Sequence, residues 1–187
     1  MRDDHTPSRE LHFQDPPAVL RSRQRVALLE VERVVQLSLE GLEVRSVLDL
    51  GTGTGIFAEA FAGLGIRVTG IDANEAMLVE ARQHVPEGEF KEGLAEAIPF
   101  DDESFDLVFL GHVLHETGSP RDALSEARRV ARQRVAVLEW PYQMQAYGPP
   151  LRHRLPPQTV QRLAAEAGYG LVEAIQLKQM DFYRLTP

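Results

Sequence analysis

Short segments of strand-like pattern alternate with stretches of helical periodicity along most of the chain. Five such segments lie between residues 46 and 140, and two more lie near the C-terminus. A short apolar run that ends at glycine or at an acidic residue is typical of a buried parallel strand. The seven predicted strands are 46–50, 67–72, 89–92, 105–110, 134–140, 171–177 and 181–185.

Apolar residues between these segments recur at the three- and four-residue spacing of amphipathic helices. The predicted helices are 18–39, 57–64, 74–84, one that Ser119 caps, and 157–167. Ser119 and Pro120 together mark a helix start, because serine caps well and proline suits the first turn. Strands that alternate with helices and end in an antiparallel hairpin predict a doubly wound, Rossmann-like α/β fold. We expect seven mostly parallel strands with helices on both faces.

The chain divides into two parts near residue 44. Residues 1–44 predict a proline-broken polar arm, with His12 and Phe13, followed by a helix; this part is a candidate lid. Residues 45–187 predict the α/β domain. Within it, the proline- and glycine-rich stretch 141–157 is too long for a simple turn, so we expect it to cover the substrate side of the site.

Composition excludes several classes of function. The 187 residues include no cysteine, so disulfides, cysteine-bound zinc and thiol nucleophiles are excluded. The net charge of −8 argues against a nucleic-acid partner, which requires a basic face. No apolar run approaches the roughly 20 residues of a membrane span, and the first residues lack the apolar core of a signal peptide. We therefore expect a soluble, cytoplasmic protein.

The first predicted strand leads into the glycine loop, Gly51-Thr52-Gly53-Thr54-Gly55. Ligands of doubly wound sheets bind at the carboxyl ends of the strands, and glycine lets the backbone approach a ligand closely. A P-loop requires a lysine and a different spacing, and a dinucleotide loop requires its last small residue at position 56, which is Ile56. The loop therefore favours a ligand without phosphates.

Two acidic residues narrow the choice of ligand. Asp49, two residues before the loop, would repel a pyrophosphate but attract the ammonium and sulfonium groups of S-adenosylmethionine. Asp72 ends the second strand, 21 residues after Gly51, near the offset at which an acid reaches ribose hydroxyls. S-adenosylmethionine is therefore the predicted cofactor.

The chain also resembles a known family. The similar stretches are VLDLGTGTG (47–55), VTGIDANEAML (68–78), AEAIPF (95–100) and SFDLV (104–108). They resemble the successive motifs of class I S-adenosylmethionine-dependent methyltransferases, in the branch typified by the ubiquinone and menaquinone biosynthesis enzymes. The resemblance implies an enzyme that methylates a small molecule and releases S-adenosylhomocysteine.

The resemblance also implies which residues bind the cofactor. The glycine loop would lie under its methionine part, Asp72 would bind the ribose, and Met77 would flank the adenine. Leu94 stands where the family usually has Asp or Asn, so one polar contact to the adenine is expected to be missing. The complete predicted set is Asp49, Gly51, Thr52, Gly53, Gly55, Asp72, Ala73, Met77, Leu94, Ala95, Gly111 and His112.

The sequence indicates less clearly which residues would bind or activate the methyl acceptor, the small molecule that is methylated. His112 and His115 follow the fourth strand, where a histidine could serve as an optional general base. Their spacing with Glu116 is weak support for a metal, and none is predicted. The candidate substrate contacts in or beside the 141–157 stretch are Tyr142, Tyr147, His153 and Arg154.

Two other functions remain open at this point. A cofactor-binding or scaffold protein without activity would have the same loop and acids. An NAD-dependent oxidoreductase is the third alternative. The acceptor and the oligomeric state do not follow from the sequence, because acceptor pockets in such folds are built from variable segments.

Overall fold

The computed structural model describes residues 17–187, so the predicted N-terminal arm with His12 and Phe13 lies outside the described residues. The strands are β1 (Ser46–Leu50), β2 (Arg67–Asp72), β3 (Glu89–Glu92), β4 (Phe105–Gly111), β5 (Ala131–Glu139), β6 (Leu171–Gln176) and β7 (Asp181–Thr186). They form one sheet in the order β3-β2-β1-β4-β5-β7-β6. The first five strands are parallel, and β7 is antiparallel to both β5 and β6. The predicted α/β sheet with its C-terminal hairpin is confirmed.

Helices cover both faces of the sheet. They are α1 (Pro17–Leu20), α2 (Arg23–Leu29), α3 (Val31–Leu39), α4 (Ile56–Ala62), α5 (Glu75–His84), α6 (Pro120–Val130) and α7 (Pro157–Glu166). The central strand β4 is buried except at Asp106 and Gly111, which are partly exposed, and its apolar side chains alternate between two cores. Phe109 packs on the α3–α5 face, 4.6 Å from the ring of Phe57, whereas Leu110 packs on the α6–α7 face.

The N-terminal helix differs from its prediction. The sequence predicts one helix over 18–39, but the structure has three, separated at residues 21–22 and at Glu30. Ser22 starts α2 by accepting a hydrogen bond from the Arg25 amide, and Glu30 adopts a left-handed φ of 47°. The Glu30 carboxylate accepts a hydrogen bond from the Lys178 amide at 2.8 Å, a contact with a distant part of the chain. Apolar periodicity does not detect such a break, so the prediction of a continuous helix is wrong.

The strand order creates a crevice at the carboxyl edge of the sheet. β1 lies beside β4, and the chain continues from β1 into α4 on one face and from β4 towards α6 on the other. Loops that diverge in this way leave an opening in which ligands bind. Among the described residues, no helix is long and apolar enough to cross a membrane.

Candidate functional site

A cavity of about 1430 Å³ occupies this crevice, at the carboxyl ends of β1, β2, β4 and β5. Its lining combines the glycine loop and the end of β2 with the segment after β4 and with Trp140. Ligand pockets usually measure about 300–1000 Å³. The cavity is therefore large enough for two small molecules side by side.

Gly51 and Gly53 form the floor of the cavity. Both have left-handed backbones, with φ of 69° and 53°. A Cβ atom on Gly51 would collide with the Val113 side chain, whereas the nearest atom to a Cβ on Gly53 would be Leu20 Cδ1 at 3.8 Å. The bare backbone of Gly53 therefore leaves the cavity open to a ligand.

Gly55 lies at the start of α4. It has a φ of 77°, but it is buried and does not line the cavity. A Cβ atom there would lie 3.1 Å from the Cβ of Ala81 in α5. Gly55 therefore lets the start of α4 pack closely against α5, and its contact with the cofactor stays a prediction.

The Asp72 carboxylate joins the glycine loop to the end of β2. One oxygen accepts a hydrogen bond from the Gly53 amide at 2.8 Å, and the other accepts one from the Asn74 amide at 2.9 Å. Asp72 lines the cavity, and carboxylate oxygens have lone pairs for more than one hydrogen bond each. The arrangement fits a carboxylate that binds a diol.

Asp49 is buried beneath the glycine loop, with 2% of its surface exposed. Burial raises the pKa of this carboxyl to about 7, although a 2.7 Å hydrogen bond from the Thr52 hydroxyl acts in the opposite direction. A cation in the cavity would favour the ionised form. Asp49 therefore supplies a negative charge that a cationic ligand would stabilise.

Thr54 provides a polar group that the sequence analysis missed. Its side-chain hydroxyl is buried and has no hydrogen-bond partner in the described part of the chain, and the residue lines the cavity. Its carbonyl accepts two hydrogen bonds from Arg21, at 2.8 and 3.2 Å, which attach the N-terminal segment to the loop. An orphaned buried hydroxyl is a place where a ligand would complete the hydrogen bonding.

The remaining predicted cofactor residues also meet at the cavity. Met77 and Ala95 are buried, while Leu94 is 52% exposed. Together with Ala73 they line the side that lies next to Asp72. This apolar side suits a flat ring, and the Leu94 side chain adds no hydrogen-bonding group to it.

His112 and Trp140 form one wall of the cavity. The two rings are stacked, with centroids 5.0 Å apart, and His112 Nε2 lies 3.3 Å from the Met180 sulfur. Burial, and then the charges of Arg25 and His115, hold the pKa of His112 well below its ordinary value. His112 is therefore a neutral packing surface at neutral pH and a weak base.

His115 has a carboxylate partner. Its Nδ1 lies 2.7 Å from Glu139 Oε2, and its backbone amide donates to Glu139 Oε1 at 3.2 Å. Burial alone would lower the pKa of His115, but the Glu139 carboxylate outweighs it and raises the pKa. The sequence analysis assigned no role to Glu139; an acid at the last position of a buried strand was the available signal.

The 141–157 stretch contacts the cavity differently from the prediction. The Arg154 guanidinium is buried and donates to the carbonyls of Pro141, Gln143, Tyr147 and Pro149 and to the side chain of Gln145. Its donors are thus used inside the loop, and a contact of Arg154 with a substrate stays a prediction. Tyr142, Tyr147 and His153 do not line the cavity either. Gly148 and Pro149 do, although the sequence analysis assigned neither residue a role.

Residues 48–138 match the family model described as "Methyltransferase domain". The chain is 41% identical over 93 residues to the demethylmenaquinone methyltransferase of Chlorobaculum tepidum, covering 49% of this chain and 38% of that protein. It is 37% identical over 112 residues to the demethylmenaquinone methyltransferase of Thermotoga maritima, covering 58% and 48%. The chain thus spans about half the length, or less, of these curated relatives.

A solved structure extends the likeness to nearly the whole chain. The SAM-dependent methyltransferase from Aquifex aeolicus superimposes with a TM-score of 0.81 at 26% identity, covering 92% of this chain and 98% of that one. The motifs, the sheet order and the cavity agree with these matches. Over residues 48–138 the chain is thus similar to methyltransferase domains, among them those of demethylmenaquinone methyltransferases, and over nearly its whole length it is similar in structure to an S-adenosylmethionine-dependent methyltransferase.

Proposed function

We propose that this protein transfers a methyl group from S-adenosylmethionine to a small-molecule acceptor and releases S-adenosylhomocysteine. One observation carries the proposal: a single cavity joins the glycine loop and Asp72 to the histidines after β4. Two reactants held side by side react faster than the same reactants free in solution. In the best cases this proximity lowers the activation free energy by roughly 7–11 kcal/mol.

The residues of the cavity fit this cofactor. When bound, it would supply a methyl group on a positively charged sulfur. Gly51 and Gly53 would let the methionine part of the cofactor lie against the backbone. The Thr54 hydroxyl would donate a hydrogen bond to an oxygen of that part. Asp72 would accept hydrogen bonds from the ribose, and Asp49 would balance the positive charge.

The rest of the cavity suits an acceptor with a flat apolar body and one polar group. Leu29, Trp140 and Pro149 provide apolar surface, and His115 provides a polar group in the lining. Relatives of this chain are named demethylmenaquinone methyltransferases. We therefore propose an aromatic acceptor of the quinol or phenol type.

The proposal includes a division of the chain and a location. Residues 45–187 would be the methyltransferase domain, and residues 1–44 a cover for the site. Leu20, Arg25 and Leu29 line the cavity, which supports a covering role for the second half of that segment. The net charge of −8 supports a small molecule over a nucleic acid as acceptor, and we propose a cytoplasmic enzyme.

The cofactor half can be tested with Gly53→Ala, using Gly41→Ala as the control. Both glycines have left-handed backbones, so both alanine variants carry comparable strain, but only Gly53 lines the cavity. Calorimetry should show that the wild type and Gly41→Ala bind S-adenosylhomocysteine similarly. Gly53→Ala should bind it at least about tenfold more weakly, a change of 1.4 kcal/mol.

Two results would count against the proposed function. Wild-type protein that fails to bind S-adenosylhomocysteine would exclude the cofactor site. Binding without transfer of labelled methyl groups to any of a panel of quinols, phenols, amines and thiols would instead indicate a cofactor-binding protein without activity.

A further inference from the structure

The two histidines of the cavity contact different partners through different ring nitrogens. The Nε2 atom of His112 faces the Met180 sulfur, and its ring is stacked on Trp140. In His115 it is Nδ1 that faces a carboxylate, that of Glu139, at 2.7 Å. A carboxylate only accepts, so the Nδ1 proton stays on the ring and the lone pair of neutral His115 lies on Nε2.

Both members of this pair are shielded from bulk solvent. The side chains of His115 and Glu139 are 4% and 2% exposed. Glu139 also accepts hydrogen bonds from the backbone amides of His115 and Trp140, at 3.2 and 3.3 Å, which fix the carboxylate in place. A base oriented by a fixed carboxylate is the arrangement that activates nucleophiles in many enzymes.

We propose that His115 is the general base of this methyltransferase, that Glu139 is its positioning residue, and that the acceptor atom is a protic oxygen or nitrogen. The inference rests on the proposed function and names its class of substrate. It also separates the two predicted candidates, because only His115 has a lone pair directed by a carboxylate.

The proposed reaction transfers one methyl group and one proton. The acceptor oxygen or nitrogen forms a bond to the methyl carbon while the carbon–sulfur bond breaks, and that electron pair returns to sulfur. His115 Nε2 takes the proton of the acceptor, so the positive charge moves from the sulfonium donor to the imidazolium. The imidazolium remains paired with Glu139 and later releases its proton to water.

On balance, the charged groups around His115 favour the transfer of a proton to its ring. Glu139 on β5 and Glu116, whose Oε1 lies 3.7 Å from Nε2, favour the imidazolium. Arg154 opposes it, and His112 interacts with it as a neighbouring titratable group. A phenol, whose pKa is about 10, needs a base near neutral pH, whereas an acceptor that is already ionised does not.

His115→Gln should therefore separate two acceptors of similar shape. With a phenol, we expect kcat to fall about 10²–10⁴-fold. With a thiophenol that is ionised at pH 8, we expect kcat to be unchanged, because no proton has to be removed. Equal losses with both acceptors would mean that His115 only shapes the cavity, and would overturn the proposal.

Glu139→Gln tests the positioning role, and its first readout needs no methyl acceptor. Nitrogen NMR of the S-adenosylhomocysteine complex should show His115 with its neutral-form proton on Nδ1, and a lower pKa in the variant. The acid limb of the kcat/KM profile for the phenol should move to lower pH by the same amount. His84→Gln, which changes a partly exposed histidine on α5 next to Glu80, should alter neither readout.

The possible failures can be told apart. An unchanged His115 titration in Glu139→Gln, or a neutral-form proton on Nε2, would overturn the dyad even in a protein that transfers methyl groups. Absence of S-adenosylhomocysteine binding would instead overturn the proposed function itself.

Discussion

Replacing Asp49 with asparagine should stabilise the folded protein above neutral pH and weaken its binding of the cofactor. Asp49 is buried at the end of β1, and burial raises its pKa to about 7. The folded state thus holds the proton more tightly than the unfolded state does. The contribution of Asp49 to the free energy of unfolding is complete at low pH, falls as the pH rises from about 4 to about 7, and is lost above that range.

The size of the stability effect follows from the shift in pKa. The difference between the ordinary pKa of an aspartate, about 3.9, and the raised pKa of Asp49, about 7, corresponds to about 4 kcal/mol, and asparagine is neutral at every pH. Its side-chain oxygen can still accept the hydrogen bond from Thr52. Between pH 5 and pH 8, we expect the stability of Asp49→Asn relative to the wild type to increase by about 2–3 kcal/mol, as measured by urea unfolding.

The same substitution should weaken cofactor binding, although it stabilises the folded protein. S-adenosylmethionine carries a sulfonium and an ammonium group, which the ionised carboxylate attracts. At pH 8, calorimetry should show a loss of affinity of about tenfold or more in Asp49→Asn. The loss should be smaller for S-adenosylhomocysteine, whose sulfur is neutral. Wild-type affinity should fall as the pH is lowered through 7, whereas that of the variant should not.

Asp106→Asn is a control, because the pKa of Asp106 is shifted in the opposite direction from that of Asp49. Although burial acts the other way, hydrogen bonds from Arg45, Arg132 and Ser46 hold the pKa of Asp106 below its ordinary value. This variant should lose stability at neutral pH and keep its cofactor affinity, because Asp106 does not line the cavity. A stability difference for Asp49→Asn that does not vary with pH would show that Asp49 is ionised throughout the range.

The fold could be predicted from the sequence because its signals are local. Four of the five parallel strands, β1 to β4, are short runs that end at a glycine or near a helix start, and Ser119 does cap α6 as predicted. The break at Glu30 could not be predicted, because the contact of its carboxylate with the Lys178 amide joins residues 148 positions apart.

The two halves of the proposed site differ in how well the sequence predicts them, because only the residues of the cofactor half are close together in the chain. The cofactor half is concentrated in the loop after β1 and at the end of β2, so Asp49, Gly53 and Asp72 could be selected together. The acceptor half depends on contacts across the sheet, such as His115 with Glu139. Residue type indicated that Arg154 could bind an anion, but only the folded loop provides its carbonyl partners.

Arg154→Lys should loosen the loop of residues 141–154, although the charge is kept. The planar guanidinium reaches five acceptors spread over the loop, and a single ammonium with three donors cannot replace it. Buried carbonyls that lose their partner are costly, so the free energy of unfolding should fall by about 2–4 kcal/mol. Chymotrypsin should then cleave faster at Tyr142 and Tyr147, which are exposed in this loop.

The same variant should raise KM for the acceptor and leave S-adenosylhomocysteine affinity unchanged. Gly148 and Pro149 line the cavity, and the Gly148 backbone packs so closely on Trp140 that a Cβ atom would lie 2.6 Å from the indole. Arg152→Lys, an exposed neighbour, is the matched control and should behave like the wild type. If both variants were equally stable and equally resistant to chymotrypsin, the loop would be held by its backbone packing on Trp140 rather than by the buried guanidinium.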